Sequence, residues 1–412
     1  MPPLRTLLAI VLALTLAACA GLPGTPPTPG TSTAPPRTPE VSPNPTPIPT
    51  QPQACAIPAG TPPVPDLATT ADPAAALLEY FNAGGSADRL EPAVAYGPLP
   101  ADVDGDGWID WLVIAGDPSS QTLPPGGTLW LLTCSGSAYD LSFRLAPTDR
   151  GAPILHGVAD LTGDGAADVL LGLPLCGAHT CFEQAQALVW NGATLENRLQ
   201  GTSDDLPYPS YSVTPAGPGE PGRVEIRGTG IGSVGAGPYR PVARTWSWDS
   251  TLGSFIVIRE ESLPSNFRIH VLLDADRADQ QGNYTLAHDL YYRVITNDGL
   301  DDWEAGETGR ENLSAYAMFR QVLSYLHMGD SGDAQVVYGI LQGSYPTGAT
   351  GHAYAELAQA FWEEYGATGD VAAACLAAQA YAEAHPVEIL EPLYYGYANP
   401  AYTAQDICPT QP

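Results

Sequence analysis

The spacing of apolar residues changes character several times along this 412-residue chain. Leu7 to Leu16 form a nearly unbroken apolar run behind a single charge, Arg5. Gly21 to Gln53 are dominated by Pro, Thr and Ser and carry almost no large apolar residue. Such a segment cannot bury a core, and it samples extended polyproline II at about 3.1 Å per residue. Pro73 to Asn82 place Leu77, Leu78, Tyr80 and Phe81 at helical spacing. Short apolar runs bounded by turn residues follow, as in Trp111-Leu112-Val113-Ile114 and Val169-Leu170-Leu171-Gly172, and predict buried strands. Past Pro264 the texture becomes alanine-rich with a 3.6-residue period. The pattern predicts a multidomain chain, β then α: a leader over 1–18, a linker over 19–53, a β domain over 54–263 and a helical domain over 264–412.

The leader's apolar run is too short for a permanent span, which takes about 20 residues. Its length suits a signal peptide. It closes on Leu16-Ala17-Ala18-Cys19, which resembles the lipobox of bacterial lipoproteins. The resemblance implies cleavage before Cys19, a diacylglyceryl group on its thiol, and a further acyl chain such as palmitate on its amine. One chain anchors marginally and two anchor stably. The expected location is extracytoplasmic, lipid-anchored to the cell membrane or the outer membrane. Ala20 in place of aspartate favours the outer one where two membranes exist. The linker would hold the folded part several nanometres from the surface.

The formal net charge is −29. An acidic surface repels nucleic acid and anionic headgroups, so membrane contact is expected through the lipid anchor only. It is compatible with cations. The chain contains no lysine. That excludes a Schiff base, a P-loop lysine and a Ser-Lys nucleophile pair.

With Cys19 spent on lipid, six cysteines remain, and an even count in an oxidising compartment predicts disulfides. Locality pairs Cys176 with Cys181 across a tight loop and Cys375 with Cys408 in the C-terminal region. That leaves Cys55 with Cys134. Cys176, His179 and Cys181 also have metal-ligand character, but a structural zinc site needs four ligands and no complementary pair is in view.

Residues 102–110 and 160–168 both fit D-x-[DT]-x-D-G-x-x-D. Oxygens at positions 1, 3 and 5, a carbonyl at 7 and an oxygen at 9 can wrap one Ca²⁺, and glycine at 6 permits the turn. The candidate ligands are Asp102, Asp104, Asp106, the Trp108 carbonyl and Asp110 in one loop. In the other they are Asp160, Thr162, Asp164, the Ala166 carbonyl and Asp168. The glycines are Gly107 and Gly165. Position 12 holds Val113 and Leu171 rather than the glutamate of an EF-hand. A loop of this kind before a strand resembles the FG-GAP/VCBS repeats of integrin-type β-propellers, which implies blade-like antiparallel sheets and structural calcium.

The loops lie 58 residues apart, and Trp130, Trp190 and Trp248 recur at a similar spacing. This predicts units of four strands. The third unit has Gly-Pro-Gly-Glu-Pro-Gly at 217–222, so two calcium sites are expected. Three blades cannot close a propeller. The alternatives are an open stack, with the helix at Pro73 to Asn82 capping one end, or completion by another segment.

In the C-terminal part, turns at Gly282-Asn283-Tyr284 with Ala287, Gly332-Asp333-Ala334 and Gly369-Asp370-Val371-Ala372 precede helices. Amphipathic stretches Ala315 to Leu326 and Ala353 to Tyr365 lie before the last two, and Asp298 to Gly309 reads as an insert. The pattern resembles tetratricopeptide repeats, which implies helical hairpins stacked as a short solenoid with a concave surface for proteins or peptides. Tyr394-Tyr395-Gly396-Tyr397 reads as packing.

Other motifs mislead. Gly230-Ile-Gly232-Ser-Val-Gly235 matches a dinucleotide fingerprint but lacks the helix that must follow, and reads as a hairpin loop. Gly329-Asp330-Ser331-Gly332 reads as a helix turn. His270, His288 and His327 have no metal spacing. The expected function is a non-enzymatic surface lipoprotein for binding, adhesion or scaffolding, with a protein or glycan partner. The alternative is an accessory to a polysaccharide-acting hydrolase or lyase, which would need facing carboxylates outside the calcium loops. A ligand-delivery protein would need two α/β lobes, and strands followed by helices argue against it.

Overall fold

A computed structural model describes residues 51–90, 96–117, 119–146, 148–177, 179–303 and 306–410. The leader, Cys19 and the linker up to residue 50 lie outside the described residues. Strands occupy the first part and helices the second. No described helix is long and apolar enough to cross a membrane.

The expected helix α1 spans Pro73–Asn82. Asp72 caps it, its carboxylate accepting from the Ala75 N–H, and Pro73 supplies a pre-set first turn. Three four-stranded antiparallel sheets follow. The first holds β1 (Tyr96–Ala101), β2 (Asp110–Gly116), β3 (Gly127–Cys134) and β4 (Tyr139–Arg144) in chain order. The second holds β5 (Ile154–Ala159), β6 (Asp168–Cys176), β7 (Cys181–Trp190) and β8 (Leu195–Asn197). The third runs β9 (Ser210–Thr214), β10 (Arg223–Gly228), β13 (Val242–Asp249), β14 (Ser254–Ser262). A two-stranded hairpin, β11 (Gly232–Ser233) and β12 (Gly237–Pro238), projects between β10 and β13.

The sheets stack, and no closed propeller forms. Leu77, Tyr80 and Phe81 of α1 cover one face of the first sheet over Val113, Trp130 and Leu132. Its other face, with Leu112, Ile114 and Leu131, meets Val169, Leu171 and Leu188 of the second. Leu170, Ala187 and Val189 then meet Val224, Ile226 and Trp246 of the third. The remaining face of the third sheet carries Ser212, Thr214, Arg223 and Glu225, which water can solvate. The helix at one end and the polar face at the other replace the neighbours that ring closure would supply.

The three sheets share a register. Ala101 pairs with Asp110, Ala159 with Asp168 and Thr214 with Arg223, so Arg223 stands where the first two units hold a loop-closing aspartate. The tryptophan spacing is partly coincidental. Cys134, opposite Tyr139, holds the place that Trp190 holds opposite Leu195, and Trp130 lies deeper in its strand, filling volume under α1.

All three expected disulfides form. Cys55–Cys134 ties the chain start to β3, Cys176–Cys181 closes the β6–β7 hairpin, and Cys375–Cys408 joins the last long helix to the C-terminal segment. Cys176 and Cys181 are therefore not zinc ligands in this state.

The helices are α2 (Arg268–Gln280), α3 (Tyr284–Thr296), α4 (Gly306–His327), α5 (Ser331–Ser344), α6 (His352–Thr368) and α7 (Val371–Ala384), with short α8 (Pro386–Ile389) and α9 (Ala404–Ile407). They pair as three antiparallel hairpins. A left-handed glycine and an N-capping Asn or Asp make each turn: Gly282-Asn283, Gly329-Asp330 and Gly369-Asp370. The second turn thus lies three residues before Gly332-Asp333, which sit inside the first turn of α5. Two Gly-Asp pairs follow in close succession there, and only Gly329 takes the positive φ of 82° that ends a helix. The insert is also shorter than expected, because α4 already starts at Gly306.

Candidate functional site: two acidic loops and a polar junction

The two acidic loops connect the first and second strands of sheets one and two, and they repeat one another closely. Asp102 accepts from the Gly105 and Gly107 N–H groups at 2.9 and 3.0 Å. Asp160 accepts from Gly163 and Gly165 at 2.6 and 3.0 Å. Asp106 and Asp164 each accept from the N–H two residues on, at 2.9 Å. Gly107 and Gly165 both take left-handed φ, 89° and 94°. An L side chain there would be strained, which is why this loop shape needs glycine.

In the first loop, carboxylate oxygens of Asp102, Asp104 and Asp106 all lie within 4.8 Å of one another. The carbonyls of Trp108 and Ala166 accept no hydrogen bond from the described residues. Burial pushes the Asp104 carboxyl up to about 6, with the charges of Asp106 and Asp102 adding to the rise. In the second loop the Thr162 hydroxyl is buried against Asp168 without a properly aligned hydrogen bond.

Asp110 and Asp168 are buried beneath the other acids and also bind backbone. Asp110 is fully buried and outside the converging group. Its oxygens accept from the Val103 and Cys134 N–H groups at 2.8 and 2.9 Å. Asp168 accepts from Leu161 and Thr162 at 2.8 and 2.9 Å. Each carboxylate therefore closes its loop onto the strand that follows. Burial raises Asp110 to about 7 and Asp168 to about 6.

The loops also join one sheet to the next. The Asp102 carbonyl accepts from the Ala167 N–H, and the Asp160 carbonyl from the Ala216 N–H, both at 2.8 Å. On the open side of the first loop, the Gln53 N–H donates to the Gly107 carbonyl and the Ile109 N–H donates to the Gln53 carbonyl. Nothing in the pattern of the linker's end announced that contact.

Two polar clusters lay outside any motif. The Arg320 guanidinium is wholly buried and reaches Asp279 at 2.8 Å, Asp276 at 3.3 Å and the Asp406 carbonyl at 2.9 Å. Tyr291 and Tyr402 donate to the Asp276 carboxylate. Between sheets two and three, His156 contacts Glu183 at 2.6 Å and stacks on Tyr211, with ring centroids 3.5 Å apart. Gly172 makes the room, since a Cβ there would fall 2.0 Å from a Glu183 oxygen. The only advance signal for the first cluster was an arginine on an otherwise apolar helix face.

A cavity of about 360 Å³ at the junction of sheets and helices is lined by His270, Asp276, Arg277, Asn399 and Asp406. Its two acids are engaged. Asp276 belongs to the Arg320 cluster, and Asp406 forms a capping box with Thr403. His270 is buried beside Ser265 and Asn399, whereas His288 and His327 pack on Tyr325 and Tyr284. The glycine fingerprint is the β11–β12 hairpin, docked on Trp303 and on the 395–398 backbone. No family model, curated protein or solved structure matches this chain.

Proposed function

We propose that this chain is a non-enzymatic binding protein of the cell exterior, tethered through Cys19 and stabilised by calcium in its acidic loops. The convergence of Asp102, Asp104 and Asp106, with the Trp108 carbonyl two residues on accepting no hydrogen bond from the described residues, carries the reading. These hard oxygen donors fit calcium, and among the described residues no arginine pairs with the three carboxylates. Those four residues would hold one ion, and Asp160, Thr162, Asp164 and the Ala166 carbonyl the other. Asp110 and Asp168 would fix each loop's closure from beneath. Bound calcium supplies positive charge where like charges otherwise repel.

The loops bridge neighbouring sheets, so occupancy should stabilise the whole stack. Calorimetry of the full chain in calcium and in EDTA tests this. A calcium concentration a hundredfold above Kd should raise Tm by roughly 5–10 °C. Equal melting temperatures would sink the reading. Binding rather than catalysis is favoured because the acids lining the junction cavity are committed to Arg320 and to a helix cap.

A further inference from the structure

We infer that the cleft between the β11–β12 hairpin and the C-terminal segment binds a neutral oligosaccharide. The cleft measures about 400 Å³, within the range of small-ligand sites. Trp303, Tyr394, Tyr395 and Pro392 line it, together with Asn312 and Glu391. Tyr394 is 57% exposed, and Tyr397 beside it is 73% exposed. The segment 394–397 is thus only partly packing, since Tyr395 alone is buried.

The polar groups are the independent observation. Tyr395 is 7% exposed, yet its hydroxyl has no hydrogen-bond partner among the described residues. The Asn312 amide and the Glu391 carboxylate also have no partner among the described residues. The hydroxyl is not sealed from water, so a ligand that displaces that water must supply its hydrogen bond. Tyr395 lines the same cleft as the half-exposed Asn312 and the exposed Glu391, whose polar groups face solvent.

Sugar hydroxyls both donate and accept, so one ring can satisfy an amide, a carboxylate and a phenol together. The C–H faces of a sugar are apolar and suit an aromatic wall. Trp303 is held in place beforehand, packed edge-on to Phe267 and covering Gly232. Ordering cost on binding is correspondingly small. Glu391 and the net charge of −29 disfavour acidic sugars. Proline-rich peptides also dock on aromatic walls, but they offer no cluster of hydroxyls for these three groups.

This inference rests on reading the chain as a binding protein and names the ligand class. The test is titration calorimetry of the full, calcium-saturated chain with cellohexaose, mannohexaose and chitohexaose, and with a proline-rich decapeptide and hexagalacturonate as controls. At least one neutral sugar should bind, and Tyr394→Ala should weaken it about tenfold with Tm unchanged. Glu391→Gln and Asn312→Ala should weaken it too. No sugar binding at millimolar concentration, or binding that the three variants leave intact, overturns the inference. So does binding of the peptide or the uronate alone. Chromatography of the sugar afterwards separates the two readings: shortened chains would overturn the non-enzymatic reading and leave the cleft standing as the site.

Discussion

Gly232 of the β11–β12 hairpin lies under the indole of Trp303 so closely that a Cβ on it would stand 1.7 Å from a ring carbon. Gly237, on the other strand, faces the Tyr395 carbonyl, where a Cβ would stand at 1.5 Å. The Tyr397 and Ala398 N–H groups donate to the Gly235 and Ala236 carbonyls. Gly232 and Gly235 of the apparent nucleotide fingerprint, with Gly237 beyond it, therefore form part of the surface by which strands and helices join.

Gly232→Ala should push Trp303 off the hairpin. The expected loss is about 1–3 kcal/mol, as for overpacking elsewhere. Denaturant unfolding followed by tryptophan fluorescence measures it. Wild-type stability in the variant would show that this contact does not couple the two halves.

His270 should make stability fall in acid. Its ring is buried, Ser265 faces Nδ1 at 2.7 Å, and Nε2 meets the Asn399 side-chain oxygen at 3.1 Å. Asn399 donates its amide to the Pro238 and Tyr395 carbonyls, so Nε2 carries the proton and the ring is neutral. Burial, with Arg240 nearby, lowers the ring to about 4 from 6.5, against a weaker opposing pull from Asp274. The unfolded chain then takes up a proton that the folded chain refuses. Stability contributed by His270 is full above pH 6.5 and falls by up to about 3 kcal/mol as pH drops toward 4. His270→Gln should flatten the pH dependence of unfolding in that window relative to wild type. Parallel profiles would refute it.

Asp104→Asn and Asp110→Asn should behave differently. Asp104 belongs to the converging acids, so its variant should lose the first loop's share of the calcium-dependent rise in Tm and melt normally in EDTA. Asp110 accepts two backbone N–H groups with two oxygens. Asparagine would aim an N–H at a donor, which costs about 1–3 kcal/mol with or without calcium. Melting both variants in each buffer distinguishes the roles.

Arg320→Leu should be severe. It leaves Asp276 and Asp279 buried without their cation, a change that costs about 3–5 kcal/mol. Chemical denaturation monitored by helical circular dichroism should show it. A loss under 1 kcal/mol would mean that the tyrosines on Asp276 and Ser324 beside Asp279 suffice without the cation.

Much of the local structure was legible in order. Helix α1 has the bounds that its apolar spacing and its proline predict. The repeated D-x-[DT]-x-D-G pattern encodes two loops with matching hydrogen bonds, because each carboxylate there bonds to an N–H within five residues. The disulfide pairs followed from nearness along the chain, and the last from elimination. The helical turns were legible except where Gly329-Asp330 and Gly332-Asp333 compete, since both have the composition of a cap.

What the sequence by itself determined are the features set by contacts between near neighbours: strands before helices, the acidic loops, the caps and the short disulfide. Only the tertiary structure decided how three sheets end without a ring, that Asp110 binds the backbone of a distant strand at Cys134, that Arg320 gathers Asp276 and Asp279, and that Trp303 and Tyr395 share a cleft. Each of these joins residues far apart in the chain. Their side chains carry no periodic signal, because burial against a distant surface depends on which surface arrives there, and the packing of the whole molecule settles that.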